Sequence, residues 1–132
     1  MESGKNVAAL VGRVLLALMF VWAGFGKIIG YEGTAGWMAS AGMPMVGVFL
    51  PLAILLELGG GIALIVGWKA RWVALALAGF TLVASLIFHN FWAMKGDAVM
   101  TNMLFFYKNV AVIGGMLMVF AFGPGRFSID RG

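Results

Sequence analysis

The residue most capable of chemistry in this sequence is Glu57, a single carboxylate inside a long apolar run. The run extends from Leu50 to Gly67 and contains no other ionisable residue. A carboxylate in hydrocarbon costs several kcal/mol unless it is protonated or paired with a cation. We therefore expect Glu57 to lie at a functional site inside a membrane.

Three further ionisable residues lie near the ends of other apolar runs: Lys27, His89 and Lys108. Glu57 follows Pro51 by six residues, which places it roughly 9 Å inside its own run if that run is helical. Helical spacing puts each ionisable residue on a stripe of small or polar residues, such as Gly24 on the stripe of Lys27. The four groups are therefore predicted to converge between helices. The predicted catalytic residues are Glu57 and His89, and the predicted ligand-binding residues are Lys27, Lys108, Asn109, Phe88, Phe91 and Trp92.

Simpler structural roles exist for the same residues. Lys27 and Lys108 are also suited to interfacial anchors whose side chains extend outward to water. A single histidine such as His89 is more often packed and hydrogen-bonded than catalytic, and Glu57 also suits a structural ion pair. The glycines at 59–61 are most simply explained by close helix packing, because no Gly-Lys-Ser/Thr motif follows them.

Several classes of cofactor do not match the composition. The chain has no cysteine, so we expect no disulfide and no thiolate metal site. One histidine cannot supply a bis-His haem site, and Glu57 with His89 alone is an incomplete metal site. No metal is therefore predicted. The net charge of +4 comes without a patch that mixes bases with exposed aromatic residues, so no nucleic-acid partner is expected.

The elements that position these residues are predicted to be four membrane-spanning helices. The chain has 132 residues, of which 63% are apolar, well above the usual share for a soluble domain. The predicted spans are about 7–29, 50–68, 72–92 and 105–122, the last with a helical lead-in from Val99. The fold prediction is all-α: one four-helix integral membrane bundle that occupies 1–132. Thr34 is predicted to cap a short interfacial helix through Ala41, followed by Gly42 and Pro44.

The distribution of positive charges predicts the orientation. Six lysines and arginines fall on the side of the two termini and three on the other, so both termini are expected in the cytoplasm. Arg13 is expected to extend toward that surface from inside the first helix. The short helix and the ionisable cluster then lie toward the periplasm of a bacterial cell.

The order of short motifs along nearly the whole chain resembles the DoxX family of small four-helix bacterial inner-membrane proteins. The motifs are Gly12-Arg13-Val14-Leu15-Leu16, Gly24-Phe25-Gly26-Lys27, Gly33-Thr34-Ala35, Gly42-Met43-Pro44, Glu57-Leu58-Gly59-Gly60-Gly61, Gly67-Trp68-Lys69-Ala70-Arg71, Phe88-His89-Asn90-Phe91-Trp92, Lys108-Asn109, Gly114-Gly115 and Gly123-Pro124-Gly125-Arg126. The resemblance implies membrane oxidoreduction, since DoxX-like proteins include a subunit of thiosulfate:quinone oxidoreductase. Others join a sulfurtransferase and a superoxide dismutase in a membrane complex. The resemblance also implies that Lys27, Glu57, His89 and Lys108 form the functional site.

The functional hypothesis is a membrane component of a quinone-linked or sulfur- and oxidative-stress-linked redox system. A quinone or a small oxyanion would lie between the helices, and Glu57 and His89 would handle protons. The expected partners are the lipid bilayer, an oxidoreductase subunit and further copies of the chain. Two alternatives stay open: a membrane scaffold without chemistry of its own, and a subunit of a small-solute carrier. Whether the chain is an enzyme is not decided by its sequence.

Overall fold

A computed structural model describes residues 2–130 of the chain, with the side chains of residues 3–130; Met1, Arg131 and Gly132 lie outside the described residues. The described part is helical and contains no strand. The α-helices are α1 (Glu2–Ile29), α2 (Tyr31–Ser40), α3 (Val46–Ile54), α4 (Gly60–Val66), α5 (Ala70–Phe88) and α6 (Asp97–Phe122). A π-helical segment, Leu55–Gly59, joins α3 to α4, and a 3₁₀ turn, Phe91–Ala93, follows α5.

Four stretches of this structure are long and apolar enough to cross a membrane, as predicted. They are Ser3–Ile29, Val46–Val66, Ala70–Ala93 and Asp97–Phe122. The first, second and fourth begin four to eight residues before the predicted boundaries, because the helices continue through polar or glycine-containing segments at their ends. The fourth helix begins at Asp97, two residues before the helical lead-in predicted from Val99, and Gly96 has a positive φ immediately before it.

The second span differs from the prediction in its interior. Its helix begins at Val46, so Pro51 lies within the helix and not in its first turn. Proline has no N–H to donate to the carbonyl group four residues earlier, which weakens the helix at that point. The π-helical turn begins four residues later, and Glu57 is its central residue. A π turn changes the direction of the side chains that follow it, and such turns are frequent at functional sites.

The short helix α2 also begins earlier than predicted. Gly30 interrupts the helix for one residue and α2 starts at Tyr31, so Thr34 is inside the helix and does not cap it. The predicted end is close to the observed one, since Gly42 has a φ of +88° just after Ser40 and Ala41. Met38 is buried, whereas Trp37 is about half-exposed. The helix therefore packs on the bundle through Met38, and its position relative to the membrane surface stays a prediction.

Small residues bring the first two spans into close contact. A Cβ atom added at Gly61 would lie 2.7 Å from Cγ2 of Val21 and 3.1 Å from the carbonyl oxygen of Ala17. The crossing has no room for a side chain at position 61, which is the pattern expected where helices associate in lipid. The core continues from this contact toward α5 and α6 and includes Ala17, Phe20, Leu64, Leu77 and Met116.

Arg13 lies at the end of the bundle where α1 begins and the chain ends. Its side chain is only 3% exposed, so it does not extend outward as expected from the sequence. The guanidinium donates hydrogen bonds to three backbone carbonyl oxygens, those of Pro124, Ile65 at 3.1 Å and Phe127 at 2.7 Å. These carbonyls accept from the two terminal nitrogens of the guanidinium, whereas Nε has no hydrogen-bond partner among the described residues. The bonds join the C-terminal segment to the first two spans. The orientation of this end toward the cytoplasm stays a prediction.

Candidate functional site

The structure pairs Glu57 with Lys27. Nζ of Lys27 lies 2.7 Å from Oε1 of Glu57, and the glutamate side chain is 5% exposed against 26% for the lysine. Among residues 3–130, whose side chains the structure describes, this is the one ion pair between side chains. A cation at this distance compensates much of the cost of removing a carboxylate from water. The more exposed lysine leaves one side of the pair open toward the space between the helices.

Backbone geometry sets the position of this pair. A Cβ atom added at Gly24 would lie 2.9 Å from the backbone nitrogen of Leu58 and 3.0 Å from its Cβ. Gly24 therefore lets α1 approach the π-helical segment more closely than any other residue would. Lys27 is one helical turn beyond this contact, and Glu57 is the residue next to Leu58. The ion pair is thus held beside the closest approach of the two spans.

The pair lies in the wall of a cavity of about 410 Å³ between the helices. This volume falls within the roughly 300–1,000 Å³ that is usual for small-molecule sites. Six of the eight residues predicted for the site line the cavity: Lys27, Glu57, Phe88, His89, Lys108 and Asn109. The remaining lining residues are mostly apolar: Met19, Phe20, Ala23, Trp37, Met38, Met43, Phe49, Leu52, Ala53, Leu56, Phe80, Thr81, Val83, Ala84 and Ile87.

Hydrogen bonds between α5 and α6 fix a second polar part of the wall. Nδ2 of Asn109 donates to Oγ of Ser85 at 2.8 Å, and the Ser85 hydroxyl donates to the carbonyl of Thr81 at 2.7 Å. All three residues are buried. Asn109 is therefore held in place by a neighbouring helix, and it carries no charge that would need a partner.

His89 is held by a residue that the sequence did not single out. Its Nδ1 lies 2.8 Å from Oδ1 of Asn102, and Nδ2 of Asn102 donates to the carbonyl of Ala98 at 2.9 Å. Because this second bond turns the amide oxygen toward the imidazole, Nδ1 of a neutral His89 is the donor and Nε2 is left as an acceptor. Asn102 lies in the helical lead-in that the sequence predicts from Val99, before the predicted span, and it contacts His89 from the second turn of α6.

Aromatic rings complete the cavity wall on the side of α2. The rings of Trp37 and Phe88 stack with centroids 4.6 Å apart and planes at 28°. Trp37, Met38 and Met43 are cavity residues that the sequence assigned only to an interfacial helix and its connection. Lys108 is exposed, and its Nζ lies 5.3 Å from the ring centroid of Phe105.

Phe91 and Trp92 are not among the residues that line the cavity, and their role in ligand binding stays a prediction. α5 ends at Phe88, so helical spacing no longer applies to the residues that follow. Both rings instead make edge-to-face contacts with Phe106, at 5.7 and 5.4 Å between centroids. They form an aromatic cluster between the 3₁₀ turn and α6.

Comparison with known proteins identifies the family of the chain. The family model described as DoxX matches residues 8–90, which contain Lys27, Glu57 and His89. The chain belongs to the DoxX family. The matched region ends before α6, so Asn102, Lys108 and Asn109 lie beyond it.

Relatives of this DoxX-family protein cover nearly its whole length. It is 45% identical over 131 residues to the inner membrane protein YqjF of Escherichia coli strain K12, covering 99% of this chain and 95% of the relative. The inner membrane protein YphA of the same organism is 36% identical over 129 residues, covering 98% and 92%. A Surfeit locus protein 4 homolog of Drosophila melanogaster is 28% identical over 129 residues, covering 96% of this chain and 41% of the relative. No solved structure was found to match the chain.

These findings establish the location of the protein. The two bacterial relatives are inner membrane proteins that align over more than nine-tenths of their length. Four helices of the described chain are long and apolar enough to span a bilayer. The protein is therefore a multi-pass inner-membrane protein in contact with lipid.

Proposed function

We propose that this protein binds a quinone in its cavity and handles the protons of quinone chemistry there, as the membrane component of a redox system. The observation that carries the proposal is the Lys27–Glu57 ion pair in the wall of an otherwise largely apolar cavity. A quinone combines an apolar ring with carbonyl oxygens that need hydrogen-bond donors. An apolar enclosure with a hydrogen-bond donor in its wall meets both needs.

The cavity fits this chemistry in size and in the kind of side chains present. Its volume of about 410 Å³ suits a substituted ring, and the stacked rings of Phe88 and Trp37 offer an aromatic wall. Lys27 can donate a hydrogen bond to a carbonyl oxygen, since an ammonium group has three donors and Glu57 takes one. Asn109 already donates to Ser85, so its remaining amide hydrogen is the second donor on offer.

Each polar residue receives a role from its position. Lys27 would orient a carbonyl oxygen, and Glu57 would pass a proton through its contact with Lys27. His89 lies immediately after the end of α5, its Nε2 is not bonded to Asn102, and it would exchange protons with the outer water. When bound, a quinone would accept two electrons and two protons. The electrons would come from an oxidoreductase partner in the membrane or in solution.

Quenching of Trp37 fluorescence tests this proposal. Menadione, a naphthoquinone without an isoprenoid tail, is titrated into the purified protein in nanodiscs. Trp37 lines the cavity, whereas Trp22, Trp68, Trp72 and Trp92 do not. We expect a saturable component of quenching that disappears in Trp37→Phe and persists in Trp22→Phe, the matched control.

The competing hypotheses predict other results. Quenching that is linear in menadione and unchanged by Trp37→Phe would contradict quinone binding in the cavity. If Glu57→Gln then lowers the yield of folded protein without any effect on ligand binding, the ion pair is a structural contact and a scaffold role is favoured. Flux of a small solute into liposomes would favour the carrier alternative.

A further inference from the structure

The cavity has an apolar mouth between α3 and α5. Three of its lining residues on these two helices are also well exposed: Phe49 at 38%, Leu52 at 54% and Val83 at 55%. In a protein of the inner membrane, exposed apolar side chains on a spanning helix contact lipid. The same residues therefore face the cavity on one side and the hydrocarbon on the other.

The packing of the helices explains why the mouth lies there. α3, which begins the second span, packs against α1, α2 and the π-helical segment. α5 packs instead against α6 and against α4, which ends the same span. Among the described residues, the second span thus packs against the third chiefly through α4, beyond the π turn. Before the π turn, on the side of Pro51, α3 and α5 leave a gap between them.

The chemistry of the lining changes from the mouth to the interior. Glu57, Thr81 and Asn109, which are 4%, 4% and 8% exposed, form a buried polar wall. The mouth consists of aliphatic and aromatic side chains. A ligand that satisfies both regions has a polar head and an apolar chain.

We infer that the gap between α3 and α5 is a lateral portal through which the ligand enters from the bilayer. The ligand is a lipid-soluble molecule whose head reaches Lys27 and Glu57 while its hydrocarbon chain passes between Leu52 and Val83 into the lipid. This inference rests on the proposed function and narrows its substrate class to quinones with a long tail, as opposed to short water-soluble quinones or anions.

Two matched variants of α5 test the portal. Val83→Phe enlarges a residue at the mouth, and Leu82→Phe enlarges a neighbour that is 47% exposed but does not line the cavity. Neither change adds a tryptophan, so Trp37 quenching still reports binding. Both positions are exposed, so folding should survive; Leu52→Phe narrows the mouth from α3 as a second variant.

The ligands compared are menaquinone, which carries an isoprenoid tail, and menadione, which has none. We expect Val83→Phe and Leu52→Phe to weaken menaquinone binding at least tenfold, with menadione affinity unchanged within twofold. Leu82→Phe should leave both affinities unchanged. Equal menaquinone affinity in the wild type and both portal variants would overturn the inference.

A second measurement does not depend on quinone binding. A phospholipid with an alkyl diazirine in its acyl chain is photolysed in the nanodisc, and labelling of the Glu57 carboxylate is read by mass spectrometry. Labelling that is present in the wild type and in Leu82→Phe but at least fivefold lower in Val83→Phe supports the portal. Equal labelling in all three proteins, or none in the wild type, overturns it. If neither quinone binds the wild type, the proposed function fails and this labelling alone decides the inference.

Discussion

Replacing Gly24 with alanine tests how the ion pair is positioned. The added Cβ would lie 2.9 Å from the backbone nitrogen of Leu58, closer than such atoms approach in folded proteins. Because the neighbour is backbone, α1 and the π-helical segment must move apart by several tenths of an ångström. That movement occurs one turn from Lys27 and one residue from Glu57, so it stretches their 2.7 Å contact.

Gly26→Ala provides the matched control. Gly26 lies on the same helix, two residues away, and an added Cβ meets no atom within 4 Å. Both variants gain the better helix propensity of alanine, about 1 kcal/mol. This gain cancels when the two are compared, which leaves the overpacking penalty of about 1–3 kcal/mol at Gly24.

The measurement is reversible unfolding in mixed micelles, followed by circular dichroism as the fraction of denaturing detergent rises. We expect Gly24→Ala to be less stable than Gly26→Ala by about 1–3 kcal/mol. We also expect Gly24→Ala to bind menadione more weakly, with Gly26→Ala equal to the wild type. Equal stability and equal menadione affinity of the two variants would refute the account of how α1 and the π-helical segment position the pair.

Three further predictions concern other contacts of the bundle. Arg13→Met removes three hydrogen bonds to backbone carbonyls, each contributing about 1.5–3 kcal/mol, and should release the C-terminal segment. Carboxypeptidase should then shorten this variant faster than the wild type or the exposed-site control Arg126→Met. Equal rates would contradict the role of Arg13 in holding the C-terminal segment. Ser85→Ala leaves the buried amide of Asn109 without its acceptor and should lower the free energy of unfolding by about 1–3 kcal/mol; a loss below about 0.5 kcal/mol, as is usual at surface positions, would show that the contact contributes little. Asn102→Leu removes the acceptor at Nδ1 of His89 and should shift the tautomer balance of a neutral ring, seen in the ¹⁵N chemical shifts of selectively labelled histidine; unchanged shifts would mean that Asn102 does not set the tautomer.

The sequence was sufficient to predict the spans and the ionisable residues that line the cavity, because both depend on local patterns. An apolar run of about 20 residues has few structural solutions in lipid, and an ionisable residue on a stripe of small residues points to a helix contact. Lys27, Glu57, His89, Lys108 and Asn109 accordingly come to one cavity, as helical spacing predicts.

The structure differs from the predictions mainly where a regular α-helix ends or is interrupted, because periodicity does not report these points. The predicted third span runs to residue 92 and includes Phe91 and Trp92, but α5 ends at Phe88, four residues earlier. The π turn at Glu57 leaves no periodic signal, since its effect is a single extra residue in one turn. The contact between His89 and Asn102 joins two helices across a connection, and pattern within one helix does not report it.

The surroundings of Arg13 also could not be predicted from local sequence. Its place near the end of an apolar helix predicts a side chain that reaches water. The structure instead provides carbonyl oxygens from the end of the second span and from the segment after α6. Those acceptors come from residues more than fifty positions away, so local composition does not reveal them.

The affinity of menadione for the wild type and for Lys27→Met is the measurement that tests quinone binding at the ion pair most directly. A hydrogen bond to a charged group contributes about 1.5–3 kcal/mol. At about 1.4 kcal/mol for each factor of ten, its loss should raise the Kd for menadione roughly 10- to 150-fold. Lys5→Met, an exposed lysine at the opposite end of α1, is the control and should leave the Kd unchanged. A Lys27→Met variant that folds and binds menadione as tightly as the wild type would contradict a role for the Lys27–Glu57 pair in ligand recognition.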